Sequence, residues 1–159
     1  MDAKSEAEVW SRVNAAANGG DMGKARERGP IGPELLEAMA RAKETGRELR
    51  LLSQKAGGET ARTLRQLSTG MGSQEKTLEG LYYFLTGTVP EPAVPQQTAR
   101  QERMTEALRR LMQGRELNVG RFEALAARAT GEASRTLLEL AEEEAKNFRT
   151  LLRVLRNYL

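Results

Sequence analysis

Two stretches of this chain match in turn chemistry and in apolar spacing: "AGGETARTLRQL" (56–67) and "ATGEASRTLLEL" (129–140). Gly58 falls on Gly131, an offset of 73 residues. The same offset carries Leu52 onto Leu125, Arg62 onto Arg135, Leu64 onto Leu137, Leu67 onto Leu140 and Thr77-Leu78 onto Thr150-Leu151. In each copy a Gly-containing turn separates two long segments with apolar residues three and four apart. That spacing gathers apolar side chains on one helical face. A short turn makes its flanking helices antiparallel neighbours. The chain therefore reads as a duplicated helical hairpin, all-α, and two such hairpins joined by one long connection make a four-helix bundle.

Punctuation sets the limits of the elements. Residues 1–32 form a separate N-terminal part. A short amphipathic helix from about Ser5 to Ala17, around Val9, Trp10 and Val13, leads into the Gly-rich, charged linker "NGGDMGKARERGPIG". The bundle occupies 33–159. Gly32-Pro33-Glu34 suits a helix start, with Pro in the first turn and Glu at the positive end of the dipole. The second helix is expected from Glu59 to about Thr86, capped by Gly87. "TVPEPAVPQQ" (88–97) holds three prolines and reads as a stiff extended crossover. Thr98 with Gln101 resembles a capping box for the third helix. That helix should end before "ATGE" (129–132), and the fourth should run to Leu159.

Composition narrows the chemistry. The 159 residues include no Cys and no His. Disulfides, thiolate chemistry, imidazole acid–base catalysis and His metal ligation are excluded, and no serine has a His base for a hydrolase triad. No secretory leader pattern and no membrane-spanning run occurs, so a soluble cytoplasmic protein with no membrane partner is expected. The net charge of +3 raises the thought of nucleic acid. Acids and bases are interleaved, however, as in "QERMTEALRR", which is the pattern of solvated helix faces.

The inward stripes are interrupted at one level. Helix 2 reads Leu64, Leu67, Met71, Gln74, Leu78, Leu81, Leu85. Helix 4 reads Leu137, Leu140, Glu144, Asn147, Leu151, Val154, Tyr158. Helix 3 reads Leu108, Leu111, Arg115, Asn118, Phe122, Leu125, Ala129, and helix 1 offers Ala42 and Thr45 at the matching places. Ala42, Met71, Gln74, Arg115, Glu144 and Asn147 are expected to converge near mid-bundle. Around Met71 the stretch "STGMGSQ" (68–74) is poor helix chemistry, since each interior Gly costs about 0.5–1 kcal/mol against Ala.

The duplicated hairpin, the "AGGE" and "ATGE" turns and "LEGLYYFLTGTVPEP" (78–92) together resemble the rubrerythrin-like branch of the ferritin-like superfamily, over residues 33–159. In that family helices 1 and 3 each give a Glu, helices 2 and 4 each give Glu-x-x-His, and the six residues hold two irons. The resemblance puts those ligand positions on Ala42, Met71, Gln74, Arg115, Glu144 and Asn147. Only Glu144 keeps the family's residue. Both His positions carry amides, and the other three Glu positions carry Ala, Met and Arg.

One carboxylate beside an arginine does not supply the anionic donors that two irons need. The expected function is therefore a non-catalytic ferritin-like bundle, structural or interaction-based, without a cofactor. A pairing of Arg115 with Glu144, completed by Gln74, Asn147 and Asn118, would replace the metal; the alternative has Arg115 snorkel to the surface. A second function stays open: a metalloprotein holding iron or manganese at an unusual carboxylate site, should Glu44, Glu75 or Glu143 turn inward. The resemblance also implies a homodimer. The cluster Tyr82, Tyr83 and Phe84 is read as packing at a helix end, and Trp10 as docking its helix on the bundle.

Overall fold

The computed structural model describes residues 30–91 and 101–159, and among them the fold is all-α with four helices. We label them α1 (Gly32–Lys55), α2 (Gly58–Thr86), α3 (Met104–Arg128) and α4 (Gly131–Arg156). The expected N-terminal helix, most of its linker, the crossover beyond Glu91 and Thr98 lie outside the described residues.

The two turns are built alike, residue for residue. Gly58 and Gly131 have φ of 57° and 56°, in the left-handed region that a Cβ disfavours. The first helical bond of α2 runs from the Ala61 N–H to the Gly57 carbonyl, and that of α4 from the Ser134 N–H to the Thr130 carbonyl. These atoms are 73 positions apart, so the repeat read in the sequence is also a repeat of backbone geometry. Glu59 and Glu132 place an acid in each first turn, where the helix dipole favours it. Gly87 closes α2 in a left-handed cap, its N–H donating to the Tyr83 carbonyl at 2.7 Å.

The chain divides into two compact units. Among the described residues, the first comprises Gly32–Gly114 and Asn147–Leu159, and the second Arg115–Lys146 with Pro30 and Ile31. The first unit contains one apolar core to which all four helices contribute. Leu49 comes from α1, Leu64, Leu67 and Met71 from α2, Leu108, Leu111 and Met112 from α3, and Leu151, Val154 and Leu155 from α4. A core shared by four helices in this way is a four-helix bundle. An ion-pair cluster sits beside it. Arg110 donates to Glu48 at 2.8 Å and to Glu102 at 2.9 Å, fastening the segment before α3 to α1. Burial opposes the Arg110 charge, but the two carboxylates outweigh it and raise its pKa above the ordinary arginine value.

Two boundaries and one side-chain placement differ from the sequence reading. Helix α3 begins at Met104, and Gln101 lies outside it. Glu106 supplies the reciprocal half of a capping box by accepting from the Arg103 N–H at 3.4 Å. Helix α4 ends at Arg156, and Tyr158 leaves the expected seam for an exposed terminal turn. Of the aromatic cluster, Tyr82 packs near Gly32, while Tyr83 faces solvent.

Helix α2 runs unbroken through "STGMGSQ". The close contact there comes from the opposite helix: a Cβ on Gly46 would meet Met71 Cβ at 3.4 Å and the Ser68 carbonyl at 3.6 Å. Ser68 Oγ donates to the Gly46 carbonyl at 2.7 Å, locking α1 to α2 at that level. Gly70 and Gly72 have no neighbour within 4 Å of a built Cβ. Gly70→Ala and Gly72→Ala are therefore each expected to stabilise the fold by about 0.5–1 kcal/mol. Gly58→Ala, forced into a left-handed backbone, should destabilise by about 1 kcal/mol or more. Urea denaturation of the three variants measures both signs.

Candidate functional site

The seam positions are buried as their phase demands. In the first unit Ala42, Met71, Gln74 and Asn147 are all buried, and in the second so are Arg115, Asn118 and Glu144. The repeat pairs these positions: Ala42 with Arg115, Thr45 with Asn118, Met71 with Glu144, Gln74 with Asn147. Each member of each pair is buried. Two residues further on, Glu44 is half-buried and Glu116 exposed, as a rotation of about 200° requires.

The chemistry at this level is concentrated in the second unit. Glu144 on α4 is 0% exposed, Asn118 2% and Arg115 on α3 4%. Arg115 Nη1 donates to Glu144 Oε2 at 2.7 Å, and Asn118 Nδ2 donates to the same oxygen at 3.0 Å. Arg121, one turn beyond Asn118, donates from Nη1 to Asn118 Oδ1 at 3.2 Å. The result is a chain of donors ending on one carboxylate oxygen. Its order is fixed by helix periodicity: residues 115 and 118 lie on one face of α3, and Arg121 extends that row toward solvent. Arg115 does not snorkel. Taking both charges out of water costs several kcal/mol per ion, and a short, charge-assisted bond with a second donor is the geometry that offsets it.

The first hairpin solves the same level by different means. Ala42 and Gly46 are small, Met71 fills volume, and the Ser68–Gly46 hydrogen bond draws the two helices together. Thr69 and Ser73 turn their hydroxyls back to the carbonyls of Arg65 and Thr69 at 3.1 and 3.4 Å. Such local bonds satisfy these side chains without any partner across the hairpin.

A metal finds little to bind. Among the described residues no group of three or more Asp, Glu, His or Cys is placed to hold an ion. Of the carboxylates that would have to turn inward, Glu44 and Glu75 are half-buried and Glu143 is exposed. Glu144 Oε2 already accepts from two donors. The residues present do not fit a di-iron centre.

Sequence reasoning found Arg115, Asn118 and Glu144 through their breaks in an apolar stripe. It missed Arg121, which is exposed, and the Arg110–Glu48–Glu102 cluster. Both sit among alternating charges, which look alike in sequence whether they pair across helices or face water. No protein-family model, curated protein or solved structure matches the chain.

Glu144→Ala strands a buried guanidinium and should cost about 3–5 kcal/mol in chemical denaturation. The double variant Arg115→Met with Glu144→Leu removes both charges and is expected to recover most of that loss. Arg121→Ala, at an exposed position, should cost less than about 1 kcal/mol.

Proposed function

We propose that this chain is a non-catalytic bundle of ferritin-like descent, in which a buried ion pair stands where the family it resembles holds metal, and that it serves as a structural or interaction protein. The observation that carries the reading is the engagement of Glu144, the one retained ligand position, by Arg115 at 2.7 Å in a fully buried setting. A guanidinium at that distance neutralises the carboxylate and repels a cation by like charge. Alanine, methionine and amides at the remaining positions add no anionic donor. With neither His nor Cys, the chain has no imidazole or thiolate to take over redox ligation. Its role then lies in surfaces rather than in a reactive centre. Self-association as a homodimer in the cytoplasm belongs to this reading.

The competing reading is a metalloprotein with residual iron or peroxide chemistry, and metal loading separates the two. Purified protein should contain well under one equivalent of iron or manganese by elemental analysis. Its melting temperature should be unchanged by chelator and by added Fe(II) or Mn(II), because a ligand that binds only the native state must raise it. Stoichiometric metal that withstands purification, or a melting temperature that rises with metal, would overturn the proposal. Substituting Arg115→Glu adds a carboxylate beside Glu144 and should lower stability without metal; partial rescue by Mn(II) would show how near the site lies to an ion-binding one.

A further inference from the structure

The second hairpin carries an open groove between α3 and α4, of about 600 Å³. Val119, Ala126 and Ala127 of α3 and Leu138, Ala141 and Ala145 of α4 form its apolar lining. Leu138 is 48% exposed, a large aliphatic side chain facing water.

The internal repeat shows that this is not what the fold requires. The corresponding face of the first hairpin has a cleft of only about 160 Å³, bordered by Lys43, Arg47, Arg50 and Ser68. Position by position, Leu138 stands where the first hairpin has Arg65, Ala141 where it has Ser68, and Ala126-Ala127 where it has Ser53-Gln54. Two copies of one hairpin share backbone geometry but differ in surface chemistry. One face is mostly polar, as for water, and the other mostly apolar beside Glu123, Ser134 and Glu142, as for a covering partner.

Chain connectivity supplies the partner. Pro30 is held against the second hairpin, its carbonyl accepting from Arg128 Nη2 at 3.0 Å. Arg128 directly follows Ala127 on the groove wall, so the N-terminal segment leaves the described structure at one end of the groove. That segment, residues 1–29, holds the only tryptophan, Trp10, beside Val9 and Val13 at helical spacing. A helix over 5–17 is about 20 Å long, and the lining from Val119 to Ala127 spans about 12 Å. Residues 18–29 can reach up to about 40 Å, so the tether does not restrict the approach. A short linker also gives the segment a high effective concentration, which favours it over a free partner.

We infer that the groove between α3 and α4 is the docking site of this chain's own N-terminal segment, with Val9, Trp10 and Val13 seated against Leu138 and Ala141. The groove is thereby occupied within one chain, and any contact between copies uses another face.

Trp10 reports on this directly, because no other tryptophan contributes to emission. In the intact protein its emission is expected to be blue-shifted from that of the urea-unfolded chain and protected from acrylamide. Both properties should persist on dilution to the monomer, checked by light scattering. Leu138→Arg, which copies the first hairpin's own Arg65, should expose Trp10 with helix content by circular dichroism unchanged. Ala127→Arg on the facing wall and Val13→Asp on the segment should do the same, so the outcome does not hang on one variant. Three results would each overturn the inference: a native Trp10 as accessible as in urea; a protected Trp10 that both groove variants leave protected; and protection that disappears in step with dimer dissociation, which assigns the groove to a second copy.

Discussion

The buried Glu144 carboxylate is the demand around which the second hairpin is organised. A charge at 0% exposure has to be met at every polar atom within reach, and α3 meets it with Arg115 and Asn118 on one helical row. That requirement fixes the rotation of α3 against α4, because turning either helix by one residue would swing a donor or the acceptor about 100° away. An apolar seam specifies rotation less sharply, since neighbouring hydrophobic residues can substitute for one another at modest cost. The pair therefore contributes alignment more than net stability, consistent with the general finding that buried ion pairs scarcely exceed their desolvation cost.

The first hairpin shows what the same fold does without such a charge. Its helices are held at the corresponding level by close approach at Gly46, the Ser68 hydroxyl and Met71. The internal repeat sets the two side by side: the position held by Met71 in one hairpin is held by Glu144 in the other. The two grooves differ along with the interiors. Arg65 and Ser68 keep one face wet, while Leu138 and Ala141 leave the other in need of cover.

Much of this was visible in the sequence because it depends on periodicity. Stripes three and four residues apart located the four described helices, the two Gly turns located both hairpins, and the breaks in the stripes picked out Arg115, Asn118 and Glu144. Helix ends were read less well. Thr98 with Gln101 looked like a capping box, yet α3 starts at Met104, where the Glu106 carboxylate reaches back to the Arg103 N–H. Tyr158 continued the seam on paper, but after Arg156 the chain tightens, with the Asn157, Tyr158 and Leu159 N–H groups donating to the carbonyls three residues back, and Tyr158 is exposed.

Sequence alone determined the helical class, the duplication, the absence of thiol and imidazole chemistry, and the buried level at which polar residues would fall. These follow from composition and from the 3.6-residue turn, which are properties of the chain itself. Only tertiary structure decided that Arg115 turns inward to Glu144, that Arg110 bridges Glu48 and Glu102, that Gly46 rather than Gly70 or Gly72 is the point of close approach, and that one hairpin bears an open apolar groove. Each of these depends on distances between segments far apart in the chain. The side chains of Arg115 and Arg110 are equally long and equally charged, and only the helix lying opposite each one settles which carboxylate it meets.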